Sequence, residues 1–232
     1  MTDRNQHMYD DFQLVYNNLA SNLAPGLDIF EISMYLTKAC YSFVTSAYQQ
    51  YEKSEAARKS LIELVRTKNL PPTTITNDKI CDYSTFFALT TKPDDPDDIL
   101  FVVYEHVLLG DGPVCLKGKT IKVVPVTHDD FHQVFENPFK ANKRTALRLD
   151  LMTTKRVAEI VYKYAKVVSY KIRYIKRPNP IILDDLTGTD KIYNPNTGLG
   201  ESSAQECELN PMYDKDIVRL AAQMAYQDYK AA

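Results

Sequence analysis

Apolar residues near the start of the chain recur every three or four positions. Tyr9, Phe12, Val15, Tyr16, Leu19 and Leu23 fall on one face of a helix predicted over 9–23. Ala24-Pro25-Gly26-Leu27 interrupts it, since proline fixes one φ and glycine supplies the positive φ of a type II turn. Asp28, with Glu31 three residues on, opens a second helix in a capping-box arrangement. Its apolar positions Ile29, Ile32, Leu36, Ala39, Cys40, Phe43 and Ala47 keep the helical spacing to residue 50. At about 1.5 Å per residue that helix is roughly 35 Å long. A third helix is expected from Ser54, burying Leu61, Leu64 and Val65 and ending before Pro71-Pro72.

From about Ile80 the periodicity changes. Residues 99–109 are dense in Val, Leu, Phe and Tyr and follow the acidic turn 93–98. Residues 119–126 alternate as a strand, and 127–136 form a short helix stopped by Asn137-Pro138. Strands follow over 146–152, 156–162 and 167–176. The last sets Val168, Tyr170, Ile172 and Tyr174 against Ser169, Lys171, Arg173 and Lys176, as a sheet with one wet face does. An extended stretch, 178–183, leads into a polar loop over 184–205 with Gly188, Pro195, Gly198 and Gly200. A loop of that length is usually functional or ordered by a partner. A closing helix over 214–229 carries Ile217, Leu220, Ala221, Met224 and Ala225. The predicted class is α+β: a helical core made of 1–72 and 206–232, with 73–205 inserted as a mainly antiparallel β region holding one short helix.

At 232 residues the chain can bury a sizeable core without cross-links, and 44% hydrophobic with 25% charged residues excludes global disorder. A formal net charge of −2 argues against a dedicated nucleic-acid-binding domain, which needs a basic surplus. Locally the middle is basic: Lys140, Lys143, Arg144, Arg148, Lys155 and Arg156, then Lys171, Arg173, Lys176 and Arg177. A solvated sheet face or a charged subunit contact explains these better than nucleic acid does. Cys40, Cys81, Cys115 and Cys207 are far apart, with no CxxC pair, and read as reduced thiols. No apolar run is long enough to span a bilayer and no leader segment stands at the start, so no membrane partner is expected. The 16 tyrosines and absent tryptophan suit surfaces that become buried against a partner, although tyrosine is equally at home in ordinary sheets.

Catalytic chemistry is sparse. His128 and His132, four apart on the predicted short helix, could share a metal, but no third ligand is apparent. Gly112 and Gly118-Lys119-Thr120 have one residue too many between them for a phosphate loop, and they sit in a β region. No GxSxG elbow occurs, and the histidines (His7, His106, His128, His132) offer few bases to a nucleophile. Acid pairs such as Asp184-Asp185 lie in polar loops, where carboxylates are normally solvated. No catalytic residue, cofactor or metal site is expected.

Several segments, in order, resemble one family. They are Phe12-Gln13-Leu14-Val15-Tyr16-Asn17-Asn18-Leu19-Ala20-Ser21-Asn22 with Ala24-Pro25-Gly26-Leu27; Glu31 and Tyr35-Leu36-Thr37-Lys38-Ala39; Lys122-Val123-Val124-Pro125-Val126; Asn137-Pro138-Phe139-Lys140; Arg173 through Leu183; and Glu206-Cys207-Glu208-Leu209-Asn210-Pro211. Together they are similar to the ring proteins of the head-to-tail connector in crAss-like tailed bacteriophages. The segment 49–58 looks shorter than its equivalent in several relatives, a difference of the kind that distinguishes one ring of a stack from another.

The resemblance implies a non-enzymatic virion protein, present in host cytoplasm during assembly. It would form a homo-oligomeric ring, usually twelve-fold, against the portal protein or neighbouring ring and tail proteins. DNA would pass through the lumen without specific binding, past a neutral or acidic wall for which Asp94–Asp98 and Glu201 are candidates. Tyr193 and Asn194 of the long loop, with Tyr226 and Tyr229 of the last helix, are the candidate assembly contacts. The competing class is a small soluble phage enzyme or nuclease-like factor, which would need a cleft of clustered ionisable groups and activity as a monomer.

Overall fold

The computed structural model describes residues 1–20, 25–73, 79–89, 99–152 and 156–231. Leu23, Ala24, Asp94–Asp98 and Lys155 lie outside them. The chain divides into two compact units, one of 1–65 with 176–232 and one of 66–175.

The first unit is helical. In α1 (Asp3–Ala20) the buried stripe is Asn5, Met8, Phe12, Tyr16 and Ala20. The stripe is rotated from the expected one, so Leu19 is exposed and Val15 only half-buried. The capping box of α2 (Ile29–Gln49) forms as expected: Asp28 Oδ1 accepts from the Glu31 N–H at 2.7 Å, and Glu31 Oε2 accepts from the Asp28 N–H at 3.1 Å. Ser54 caps α3, but that helix is only Glu55–Ser60. A 3-10 turn, Ile62–Leu64, leads directly into strand β1 (Val65–Leu70), so the expected helix up to Pro71 is overturned. Leu61 and Leu64 are fully buried. Their spacing satisfied a helical template over too few residues to tell a helix from one turn and a strand. The last helix, α5 (Asp214–Ala231), buries Ile217, Val218, Ala221, Ala222 and Ala225, and packs against α1 and α2.

The segment 176–205, grouped by the sequence with the insertion, instead belongs to this helical unit. Ile181, Ile182 and Leu183 are fully buried. Among the described residues their one strand pairing is an isolated bridge between Ile182 and Gln205, so helix side chains complete the rest. The Leu183 N–H donates to Ser33 Oγ at 3.1 Å and the Ile181 N–H to Thr37 Oγ1 at 3.0 Å. Asn5 Nδ2 donates to the carbonyls of Ile182 and Leu183, each at 3.0 Å. The polar loop is likewise not structureless: Ile192–Asn194 (β8) and Leu199–Glu201 (β9) form an antiparallel hairpin.

The second unit is built on a seven-stranded sheet in the order β1-β7-β3-β4-β5-β6-β2. Its remaining strands are β2 (Ser84–Ala88), β3 (Ile99–Leu109), β4 (Thr120–Pro125), β5 (Thr145–Met152), β6 (Arg156–Val161) and β7 (Val167–Lys176). The pairs β3–β4, β5–β6 and β6–β2 are antiparallel, while β4 and β5 run parallel. The link between β4 and β5 holds the short helix α4 (Phe131–Glu136), the kind of crossover a parallel pair requires. One sheet face carries the larger core, including Phe87, Val107, Val123, Ile160, Tyr170 and Ile172. On the other face Phe131 of α4 packs with Leu147, Leu149 and Val161, covering β5 and β6.

Candidate assembly surfaces

Four residues were expected at assembly contacts. Tyr193 is 63% exposed on the hairpin, whereas Asn194 beside it is 2% exposed. Asn194 builds the hairpin's turn: its Nδ2 donates to Glu201 Oε1 at 2.6 Å, and its Oδ1 accepts from the Asn196 N–H at 2.9 Å. Gly198, at φ +71°, closes that turn, which a Cβ would strain. Glu201 also accepts from Thr197 Oγ1 at 3.1 Å and from Gln205 Nε2, so its charge is bound within the hairpin. Asn196 ties the hairpin down, donating to Arg177 O and Asn179 Oδ1, each at 2.8 Å. Tyr193 is thus presented on an anchored element. On α5, Tyr229 is exposed, while Tyr226 is half-buried with the Lys230 ammonium 4.7 Å from its ring centre.

Arg4 joins the start of α1 to the start of α5 and the segment before it. Its Nε and Nη2 clasp both oxygens of Asp214, at 2.8 and 2.6 Å, and its Nη1 and Nη2 also donate to the carbonyls of Cys207 and Leu209. Cys40 and Cys207 are free buried thiols. The Cys40 thiol is pushed up by its hydrogen bond to Cys207 and by burial.

The second unit presents two apolar side chains that the sequence did not single out. Phe139 is 88% exposed on a turn braced by its neighbours: its N–H donates to Asn137 Oδ1 and its carbonyl accepts from Asn142 Nδ2, both at 2.9 Å. Val114, 95% exposed, tops the turn between β3 and β4. Asn137-Pro138 stops a helix and the four-residue run resembles a family turn, but neither reading shows that Phe139 points outward.

Where α4 does not cover it, the sheet offers a second surface. His106 lies opposite Lys122 and Leu108 opposite Thr120 in the β3–β4 register. The Tyr104 and His106 rings are 5.3 Å apart. The imidazole of His106 is held below its usual pKa by burial and by the charges of Lys171 and Arg173 on β7. Tyr104, Leu108, Thr120, Lys122, Lys171 and Arg173 are all exposed. The one acid on β3, β4 and β7 is Glu105, and it points through the sheet to the opposite side.

There, Arg148 Nη1 donates to Glu105 Oε1 and Tyr170 Oη to Glu105 Oε2, each at 2.7 Å. Burial raises the Glu105 carboxyl, and Arg148 and Tyr170 oppose that rise. Burial also raises the Tyr170 hydroxyl strongly. This acid, cation and phenol lie within the core, where a substrate has no access, and together they act as a structural staple. The sequence hint was an arginine in a strand flanked by Leu147 and Leu149. His128 falls before α4 begins, so it and His132 do not share a helical face; His128 Nε2 lies 3.0 Å from Asp150 O. Among the described residues no group of three or more His, Cys, Asp or Glu is placed to hold a metal ion. No described helix is long and apolar enough to cross a membrane.

Residues 1–232 match the family described as phage tail ring protein 3/4. Ring protein 3 of Bacteroides phage crAss001 is 32% identical over 231 residues, spanning 95% of this chain and 94% of that protein. Ring protein 4/5 of the same phage is 30% identical over 236 residues, spanning 95% of this chain and 91% of its own length. The chain belongs to the phage tail ring protein 3/4 family of crAss-like phages.

Proposed function

We propose that this chain is a non-enzymatic subunit of a homo-oligomeric ring in the virion's head-to-tail connector. The ring stacks against the portal or against neighbouring ring and tail proteins, and continues the channel through which the genome leaves. The carrying observation is the match over residues 1–232 to a family named for rings. The surfaces support it: Tyr193, Phe139 and Val114 are large side chains held outward on braced turns, as anchors for a partner are. In this reading Tyr193 and Tyr229 meet adjacent subunits or rings, with Tyr226 at the margin of the contact, and Asn194 acts by shaping the hairpin that presents Tyr193. DNA slides through the lumen without specific contacts.

Mass photometry and negative-stain microscopy of the purified full-length chain test the reading, together with mass spectrometry of purified virions. The expected result is closed rings of about twelve copies and the protein's presence in virions. A chain that stays monomeric at every concentration and is absent from virions overturns it.

A further inference from the structure

The net charge of −2 conceals a division. Within 1–65 and 176–232 there are 17 acidic and 11 basic side chains, a balance of −6; within 66–175 there are 13 acidic and 17 basic, a balance of +4. The basic excess has an address. Lys122, Lys171 and Arg173 share the uncovered sheet face with Tyr104 and Leu108, and no carboxylate of β3, β4 or β7 joins them. The acidic excess has one as well. Asp3, His7, Asp10, Leu14 and Asn17 form one exposed stripe along α1. The one cation of α1, Arg4, is bound to Asp214 and adds no free charge there. Beside the stripe, Asp11 and Asp216 are offset by Lys215 and Arg219 around a groove of about 310 Å³, so that flank is neutral and the stripe stays acidic.

We propose that the uncovered face of β7, β3 and β4 is a subunit interface whose occupant is the acidic outer face of α1 in a second copy of this chain. The proposal rests on the ring reading and specifies how the ring closes. Both faces pair exposed apolar groups, Tyr104 and Leu108 on one and Leu14 on the other, with charges of opposite sign. Apolar contact supplies affinity, while the charges orient the encounter. Two sheet faces repel one another, as do two α1 faces, so pairing by a two-fold axis is penalised. Head-to-tail pairing is favoured, and it generates rings. Nucleic acid is the other occupant a basic, aromatic face could take, but it leaves the acidic stripe without a role.

Charge reversal tests this in the full-length protein. K171E/R173E should raise the apparent dissociation constant for oligomerisation at least tenfold by mass photometry, and so should D3K/D10K. The chain carrying all four changes should return to within about threefold of wild type. Raising salt from 0.1 to 1 M shortens the screening length from about 10 to about 3 Å and should weaken wild-type assembly. Circular dichroism melting checks that each variant folds. If wild type assembles and K171E/R173E assembles equally well, this interface is overturned while the ring reading stands. Failure of the fourfold variant to recover also overturns it. Wild type that never assembles overturns this interface, and if it is also absent from virions the ring reading falls with it. If a fluorescently labelled DNA duplex binds wild type, and only that binding is lost in K171E/R173E, the face belongs to nucleic acid and the proposal falls.

Discussion

The two units use polar side chains differently. In the helical unit, α1 and α2 face an extended segment whose strand pairing, among the described residues, is one bridge between Ile182 and Gln205. Asn5, Ser33, Thr37 and Arg4 are therefore turned inward, onto carbonyls and N–H groups up to 205 residues away in sequence. In the sheet unit the ladder already satisfies the backbone. Glu105, Arg148 and Tyr170 form a buried polar cluster, buried Glu159 of β6 accepts from the Ile80 N–H, and Lys122, Lys171 and Arg173 lie on the outside. Backbone need decides where polar side chains go, and what is left over becomes surface.

Removing the sheet's Glu105–Arg148 staple should have the largest effect. R148L leaves Glu105 buried beside no cation and should cost about 3–5 kcal/mol in urea unfolding. A loss near 1 kcal/mol would show that the cluster is solvated. In the helical unit the work is shared among several groups, so R4A should cost about 2 kcal/mol even though it breaks four hydrogen bonds. Its signature is faster hydrogen exchange at the start of α5. D28A, which removes the cap of α2, should lower stability by about 1 kcal/mol.

The smallest effect is a pH dependence. The Glu105 carboxyl is raised above its ordinary 4.5, so its protonated form favours the fold. That contribution is full below 4.5 and is lost as pH rises through the raised folded value. E105Q, fixed in the neutral state, should therefore gain on wild type as pH rises above 4.5 when unfolding is followed across pH. A constant difference would place the Glu105 pKa at its ordinary value.

Legibility followed locality. The cap at Asp28, the strands from β3 to β7 and the last helix were readable, because each depends on neighbours a few residues away. Strand β1 was missed because Leu61 and Leu64 carried a helical spacing into a segment whose fate is set by pairing in the sheet. The hairpin at 192–201 hid behind glycines and polar residues that also suit a loop. The uncovered basic face was legible only in part, since alternation set Lys171 and Arg173 on a wet side but left Lys122 unconnected to them. Lys122, Lys171 and Arg173 are brought together by strand order, which periodicity does not contain. The family resemblance was legible because it lies in ordered local motifs, and the match over 1–232 agrees with it.

The helical unit is made from both ends of the chain, with 66–175 between them. During synthesis, α1 and α2 leave the ribosome long before α5, against which they pack. At about 5–20 residues per second, their apolar stripes wait roughly ten to thirty seconds for that helix. In that interval the sheet unit can complete itself while Phe12, Tyr16 and Leu36 lack their final cover. The last helix therefore also acts as a clock, closing the helical unit only after residues 66–175 have been made.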